Sequence, residues 1–246
     1  MNSQTMHTLP GSSRFPTTRW TLVVAAGDPQ RKDARSALVS LCENYWYPLY
    51  AYLRRRGYAP DQAQDLTQEF FMRVLEGRYL DRADPEKGRF RSFILTSLKF
   101  FAADEQDRQR AQKRGGGAVV SFEFSSGEER YQREPGHNET PERIFERRWA
   151  LSMLDRVMER LRGEFVQHGR PENFERMKVF LLRQSEAPYA DLAREMNTSE
   201  GALKVAIHRL RKRYRELFRQ EIADTVADPA EVDSELRYLV AVLTRK

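Results

Sequence analysis

Between Arg35 and Arg56, the residues Leu38, Leu41, Tyr45, Leu49, Tyr52 and Leu53 recur at intervals of three or four. That spacing puts them on one face of an α-helix, because a helix turns by about 100° per residue. The same periodicity returns along most of the chain, while the alternation of a half-buried strand is nearly absent. An all-α fold is therefore expected.

Helix signals divide the chain further. Thr18 can cap a helix beginning RWTLVVAA, closed by Gly27, Asp28 and Pro29. Helices are expected over Asp61–Glu76 and from about Arg89 past Asp107. The segment from Arg114 to Thr140 is rich in Gly, Ser and Glu and lacks a helical period, so it reads as a flexible linker. Within it, VVSFEF has the composition of a short strand but no hairpin partner. Thr140 and Pro141 restart the helical pattern as a hydroxyl cap followed by proline at the first helical position. The set Phe145, Trp149, Leu151, Leu154, Met158 and Leu161 then forms a stripe. FERMKVFLLR and YADLAREM add two short helices, and a last helix is expected from about Ala230 to Thr244. On it Glu231, Asp233 and Glu235 lie opposite Leu236, Leu239 and Val242. This amphipathic tail is expected to pack on the domain it follows.

The resulting architecture is two small helical domains joined by a flexible linker. Its parts are a flexible N-terminus over 1–15, a first domain over 16–114, a linker over 115–140, a second domain over 141–220 and a helical tail over 221–246. Cys42, the one cysteine among 246 residues, excludes an intrachain disulfide or a cysteine-built zinc site. Set among aromatics in CENYWYPLY, it reads as a buried, inert thiol. The polar N-terminus has no apolar core of signal-peptide length, and no run is long enough to span a bilayer. A soluble cytoplasmic protein is expected, without membrane insertion. Glycine-rich phosphate loops, metal-ligand spacings and nucleophile–base pairs are lacking, so an enzyme, a metal site or a cofactor is not expected.

The charge is concentrated in one place. From Lys204 to Arg219 there are seven Lys/Arg against one Glu, a local excess of +6 that equals the excess of the whole chain. In SEGALKVAIHRLRKRY, Ser199 is the cap and Asn197-Thr198 the preceding tight turn. Leu203, Ile207, Leu210, Tyr214 and Leu217 fall on one side, and Lys204, His208, Arg209 and Lys212 on the other, with Val205 between. A short helix, a tight turn and a basic amphipathic helix form a helix-turn-helix. The apolar stripe seats such a helix in its domain, and the basic face gains affinity by releasing phosphate counterions. His208 stands without a second ligand nearby and reads as a polar contact.

In the first domain, QAQDLTQEFF places Leu66, Phe70 and Val74 on a buried face and leaves Asp65, Gln68, Glu69 and Arg73 outside. Downstream, DPEKGRFRSFILTSLKFF mixes Phe90, Phe93, Phe100 and Phe101 with Lys87, Arg89, Arg91 and Lys99. Flat apolar surfaces beside cations suit bases leaving a melted duplex; two or three of these phenylalanines are expected in the core instead.

The order YLRRRGYAPDQAQDLTQEFF, DPEKGRFRSFILTSLKFF, linker, VFLLR, YADLAREMNTSEGALKVAIHRLRKRY resembles bacterial RNA polymerase sigma factors of the extracytoplasmic-function type in the sigma-70 superfamily. The resemblance covers most of residues 35–114 and 174–218. It implies a region 2-like bundle and a region 4-like helix-turn-helix domain. By the resemblance, Asp65, Gln68, Glu69 and Met72 would bind the core polymerase. Arg89, Arg91, Phe93, Thr96, Lys99 and Phe100 would bind and help melt the −10 element. Ser199, Lys204, Val205, His208, Arg209 and Lys212 would read the −35 element. The implied partners are core RNA polymerase and promoter DNA, with an anti-sigma factor or a Ser/Thr kinase as further candidates and a monomeric free state.

The sequence departs from the family pattern in three places. Gln62 and Gln64 stand where acids are common, so phosphorylation of Thr67 beside them is a candidate means of restoring negative charge. Phe100 stands where asparagine is common. LRGEFVQHGRPENFERMKVF replaces a shorter approach to region 4. The competing reading is a free-standing helix-turn-helix transcriptional regulator whose N-terminal module senses or dimerises.

Overall fold

The computed structural model describes residues 32, 34–76, 79, 83–84, 88–111, 125–133, 139–182, 189–223, 225–226 and 228–244. The helix expected after Thr18, the VVSFEF segment and Lys87 lie outside these residues, as do the side chains of Leu38 and Leu41. Among the described residues the fold is all-α, with no strand.

Helix α1 (Ala34–Arg55) ends on Gly57, whose φ of 96° is left-handed. The Tyr58 N–H reaches back to the Leu53 carbonyl at 3.2 Å and the Gly57 N–H to that of Arg54 at 3.1 Å. These two bonds close the helix, and the positive φ they require favours glycine. Helix α2 (Pro60–Leu75) starts with proline, and Gln62 reaches back to accept from the Ala59 N–H at 3.3 Å. Helix α3 (Phe90–Ala111) completes the first group.

The segment expected to be a linker contains helix α4 (Ser125–Gln132). Its place is set by contacts rather than by its own periodicity. A Cβ on Gly127 would meet Trp46 Cζ3 of α1 at 3.1 Å, so any larger residue here would press on the indole. Beside it, the Glu128 carboxylate accepts from Tyr50 Oη at 2.6 Å and Arg54 Nε at 2.9 Å.

Helix α5 (Pro141–Gln167) is capped by Thr140, whose hydroxyl accepts from the Arg143 N–H at 3.3 Å. Short helices α6 (Pro171–Met177), α7 (Val179–Leu182) and α8 (Tyr189–Glu195) lead to α9 (Glu200–Ala223). A 3-10 turn over Pro229–Glu231, capped by Asp228, opens α10 (Val232–Thr244).

Two apolar cores form. The first gathers Tyr45, Leu49, Leu53, Phe70, Phe71 and Phe101 from α1–α3 with Phe145, Trp149 and Met153 of α5. The second gathers Val157 and Leu161 of α5 with Phe174, Met177, Phe180, Ala193, Leu203, Ile207, Leu210 and Leu217. The division thus falls inside α5, between Met153 and Val157, and not at the segment before it. Helix α9 also crosses: Leu217 lies in the second core, Ile222 in the first, and Phe218 packs against both.

The stripe expected on α5 is accordingly revised. Phe145, Trp149 and Leu161 are buried as expected, but Ile144, Ala150, Met153 and Val157 are its other deep members, while Leu151, Leu154 and Met158 are half-buried. The tail packs, as expected, on helices of the domain it follows, α5 and the end of α9, where Asp233 meets Arg219. Its Val232 and Leu239 thereby enter the first core. Glu235, expected on the solvent face, is fully buried, because two arginines meet it.

Candidate nucleic-acid interface

The segment read as a helix-turn-helix forms a short helix, a tight turn and a long helix. Helix α8 ends on Asn197 at φ 49°, a left-handed conformation that asparagine tolerates better than most residues. The Thr198 N–H bonds the Ala193 carbonyl at 2.9 Å and the Asn197 N–H that of Arg194 at 3.2 Å. Ser199 then caps α9, its hydroxyl accepting from the Ala202 N–H at 3.2 Å. Leu203, Ile207, Leu210 and Leu217 are buried and Tyr214 packs at their edge. On the open side stand Lys204, Val205, His208, Arg209 and Lys212, all exposed. Lys204 is paired within the helix to Glu200 at 2.6 Å, and Lys212 to Glu216 at 4.0 Å. Exposed pairs of this kind contribute little and give way to a stronger anion.

Not every arginine of this basic run faces outward. Arg213 holds Glu164 of α5 with Nε at 3.0 Å and Nη2 at 2.6 Å. Its hydrogen bonds keep the Glu164 carboxyl below the usual carboxylate range, against the opposing effect of partial burial. Arg211 Nε donates to the Phe180 carbonyl at 3.0 Å. The +6 excess therefore includes side chains that brace the domain.

On α2, Asp65 is exposed and Gln68, Glu69 and Met72 are half-exposed. Asp65 and Glu69 share the rim of a polar pocket of about 340 Å³ with Arg56, Tyr58, Gln62 and Gln106. Glu69 is paired to Arg73 at 2.5 Å, and the Arg73 guanidinium lies 4.6 Å from the Phe101 ring centre. Thr67 is a correction to the sequence reading. It is fully buried and its hydroxyl donates to the Ala63 carbonyl at 2.6 Å, so a kinase has no access to it in this fold.

On α3, Phe90 and Phe101 are core and Phe93 is half-buried, its ring 5.9 Å from that of Phe90. Phe100 stands 69% exposed beside exposed Thr96 and Lys99. Lys99 reaches Glu142 of α5 at 2.7 Å. Arg89 and Arg91 stand apart from this group. Both arginines bind Glu235 of α10; Arg91 is buried and closed off from DNA in this arrangement, while Arg89 is 32% exposed. Periodicity within the tail could not reveal this, because the partners lie 144 residues apart.

Residues 42–112, which run from within α1 through α3, match the family model of sigma-70 region 2. The chain carries a sigma-70 region 2 domain. The match takes in the exposed acids of α2 and the Phe93–Phe100 face of α3, and stops short of the helix-turn-helix. No match was found among curated proteins or among solved structures. A sigma-70 region 2 match supports a sigma-factor role, in RNA polymerase binding and promoter recognition. Among the described residues, no helix is long and apolar enough to cross a membrane.

Proposed function

We propose that the protein is a sigma factor of the extracytoplasmic-function type, a monomer when free, acting in the cytoplasm on core RNA polymerase and promoter DNA. The observation that carries this reading is Phe100. A fully aromatic side chain left 69% exposed beside Lys99, within a region 2 domain, costs hydration and offers a stacking platform with a cation next to it. Bases flipped from the −10 element would stack on Phe100 and Phe93, with Thr96 at hydrogen-bonding reach of a base edge or sugar. Lys99 would exchange Glu142 for a phosphate. Asp65, Gln68, Glu69 and Met72 would dock on the polymerase, and Lys204, Val205, His208, Arg209 and Lys212 would meet the −35 element from the helix capped by Ser199. The polymerase supplies the chemistry; the protein supplies position and strand opening. An anti-sigma factor is the natural regulator of such a factor.

The test is run-off transcription with purified core polymerase and a promoter library. Discrete transcripts that depend on the protein are expected, starting downstream of two separated protected elements. Failure to bind core or to start any transcript refutes the reading.

A further inference from the structure

Glu235 lies at 0% exposure, in the first turns of a helix at the far end of the chain from the residues it binds. Arg89 Nη2 donates to its Oε2 at 2.9 Å. Arg91, itself 4% exposed, donates through Nη1 to Oε1 and through Nη2 to Oε2 at 3.4 Å. One turn along, the Tyr238 ring lies 5.3 Å from the Arg89 guanidinium and 4.9 Å from that of Arg91. Trp149 of α5 lies 4.7 Å from Arg91. On the outer side of α10, Asp233 binds Arg219 of α9 at 2.7 Å.

Two guanidiniums converging on one pair of anionic oxygens form an arrangement that also suits a phosphate, because planar donor forks match both groups. Glu235 is the carboxylate bound directly by both guanidiniums, and Glu146 stands beyond it, hydrogen-bonded to Tyr238. A backbone phosphate brings the same oxygens together with further contacts along the strand. The aromatic walls add cation–π attraction without consuming the N–H donors. Glu235 and Tyr238 of α10 and Trp149 of α5 all lie against Arg91, which is 4% exposed, while Arg89 keeps about a third of its side chain open.

We propose that α10 is a built-in competitor for promoter DNA: Glu235 occupies the phosphate seat of Arg89 and Arg91, and α10 leaves that seat when the promoter backbone takes it. This rests on the sigma-factor reading, since it needs promoter DNA at the region 2 domain. Val232 and Leu239 hold α10 in the first core, so the docked state dominates in the free chain. If the open state is about a tenth of the population or less, apparent DNA affinity is lowered about tenfold or more.

The experiment uses the full chain bound to core polymerase and a labelled promoter fragment recovered from the run-off library. Fluorescence anisotropy compares the wild type with Glu235→Gln, which removes the charge that both guanidiniums bind. Hydrogen exchange on the unmutated protein, which depends on no variant folding, follows the amides of 232–244 before and after DNA is added. We expect Glu235→Gln to bind about tenfold tighter and the α10 amides to lose protection when DNA binds. Equal or weaker binding by the variant, or α10 protection that survives DNA binding, overturns the proposal even if the other result is obtained. If promoter DNA is bound and α10 stays protected, this proposal alone fails. If no promoter is recovered or core is not bound, the sigma-factor reading fails and this one falls with it.

Discussion

Arg54 and Glu128 meet in a two-pronged ion pair, Nε to Oε2 at 2.9 Å and Nη2 to Oε1 at 3.0 Å, which fastens α4 to α1 across 74 residues of chain. Tyr50 adds a third hydrogen bond to the same carboxylate, and Gly127 lets the backbone come within reach of Trp46. The segment between the region 2 domain and α5 is thereby pinned to α1, as it is again where Arg55 Nε donates to the Glu139 carbonyl at 2.8 Å.

That contact should be acid-sensitive. Burial alone would raise the Glu128 carboxyl, but the hydrogen bonds from Arg54 and Tyr50 outweigh it and hold the group below its ordinary value of 4.5. A depressed folded value means the contact is fully present above that ordinary value. It is lost as pH falls from there through the lower folded value. Trp46 emission, with Trp46→Phe as the blank, should shift to the red over this window as α4 leaves. Glu128→Gln should weaken docking by about 1–3 kcal/mol at neutral pH and abolish the acid step.

At Thr67 two substitutions should separate sharply. Thr67→Val keeps the shape and loses one hydrogen bond to the Ala63 carbonyl, at a cost of about 1 kcal/mol. Thr67→Asp buries a carboxylate with no cation provided for it, and should cost about 3–5 kcal/mol or unfold the domain. Urea denaturation of both variants checks this. An aspartate variant as stable as the valine one would mean that α2 can open at this position.

Adjacent phenylalanines should behave oppositely. Phe101→Ala empties a fully buried site and should destabilise by about 3–5 kcal/mol in thermal or urea unfolding. Phe100→Ala should leave stability within about 0.5 kcal/mol, as surface substitutions do. It should also weaken binding of single-stranded promoter DNA by about 1–3 kcal/mol if a base stacks there.

Helix α5 should make the two cores unfold together. Asp155 is exposed and lies between Met153 of the first core and Val157 of the second. Asp155→Pro removes a backbone donor and clashes with the preceding turn, at about 3 kcal/mol or more, although it deletes no core side chain. Calorimetry should then show one transition becoming two, whereas Asp155→Ala should leave one.

The helices were legible in the sequence because burial on a helix obeys a spacing rule and ends with recognisable chemistry. The caps at Thr140 and Ser199 and the turn at Asn197 all form as read. The rule even accounts for Thr67, which stands four residues from both buried Ala63 and buried Phe71. It says which face is buried but not against what. So the two allegiances of α5, and the seating of α10 on the first core, depend on partners far away in the chain. Glu235 shows the same limit for charge: a carboxylate reads as solvated until the arginines that neutralise it are placed beside it. Helix α4 carries too short and polar a pattern to announce itself, and its docking depends on Gly127 and Glu128.

Cys42 sits 2% exposed in the first core, and burial, with Glu43 nearby, pushes its thiol up to about 12. Since the thiolate is the reactive form, this sulfur is unreactive at neutral pH. A cysteine placed at exposed Ser234 of α10 or Thr96 of α3 would therefore be the one thiol open to a maleimide dye. The natural sequence needs no cysteine removed before a fluorophore or spin label can follow α10 on and off its seat.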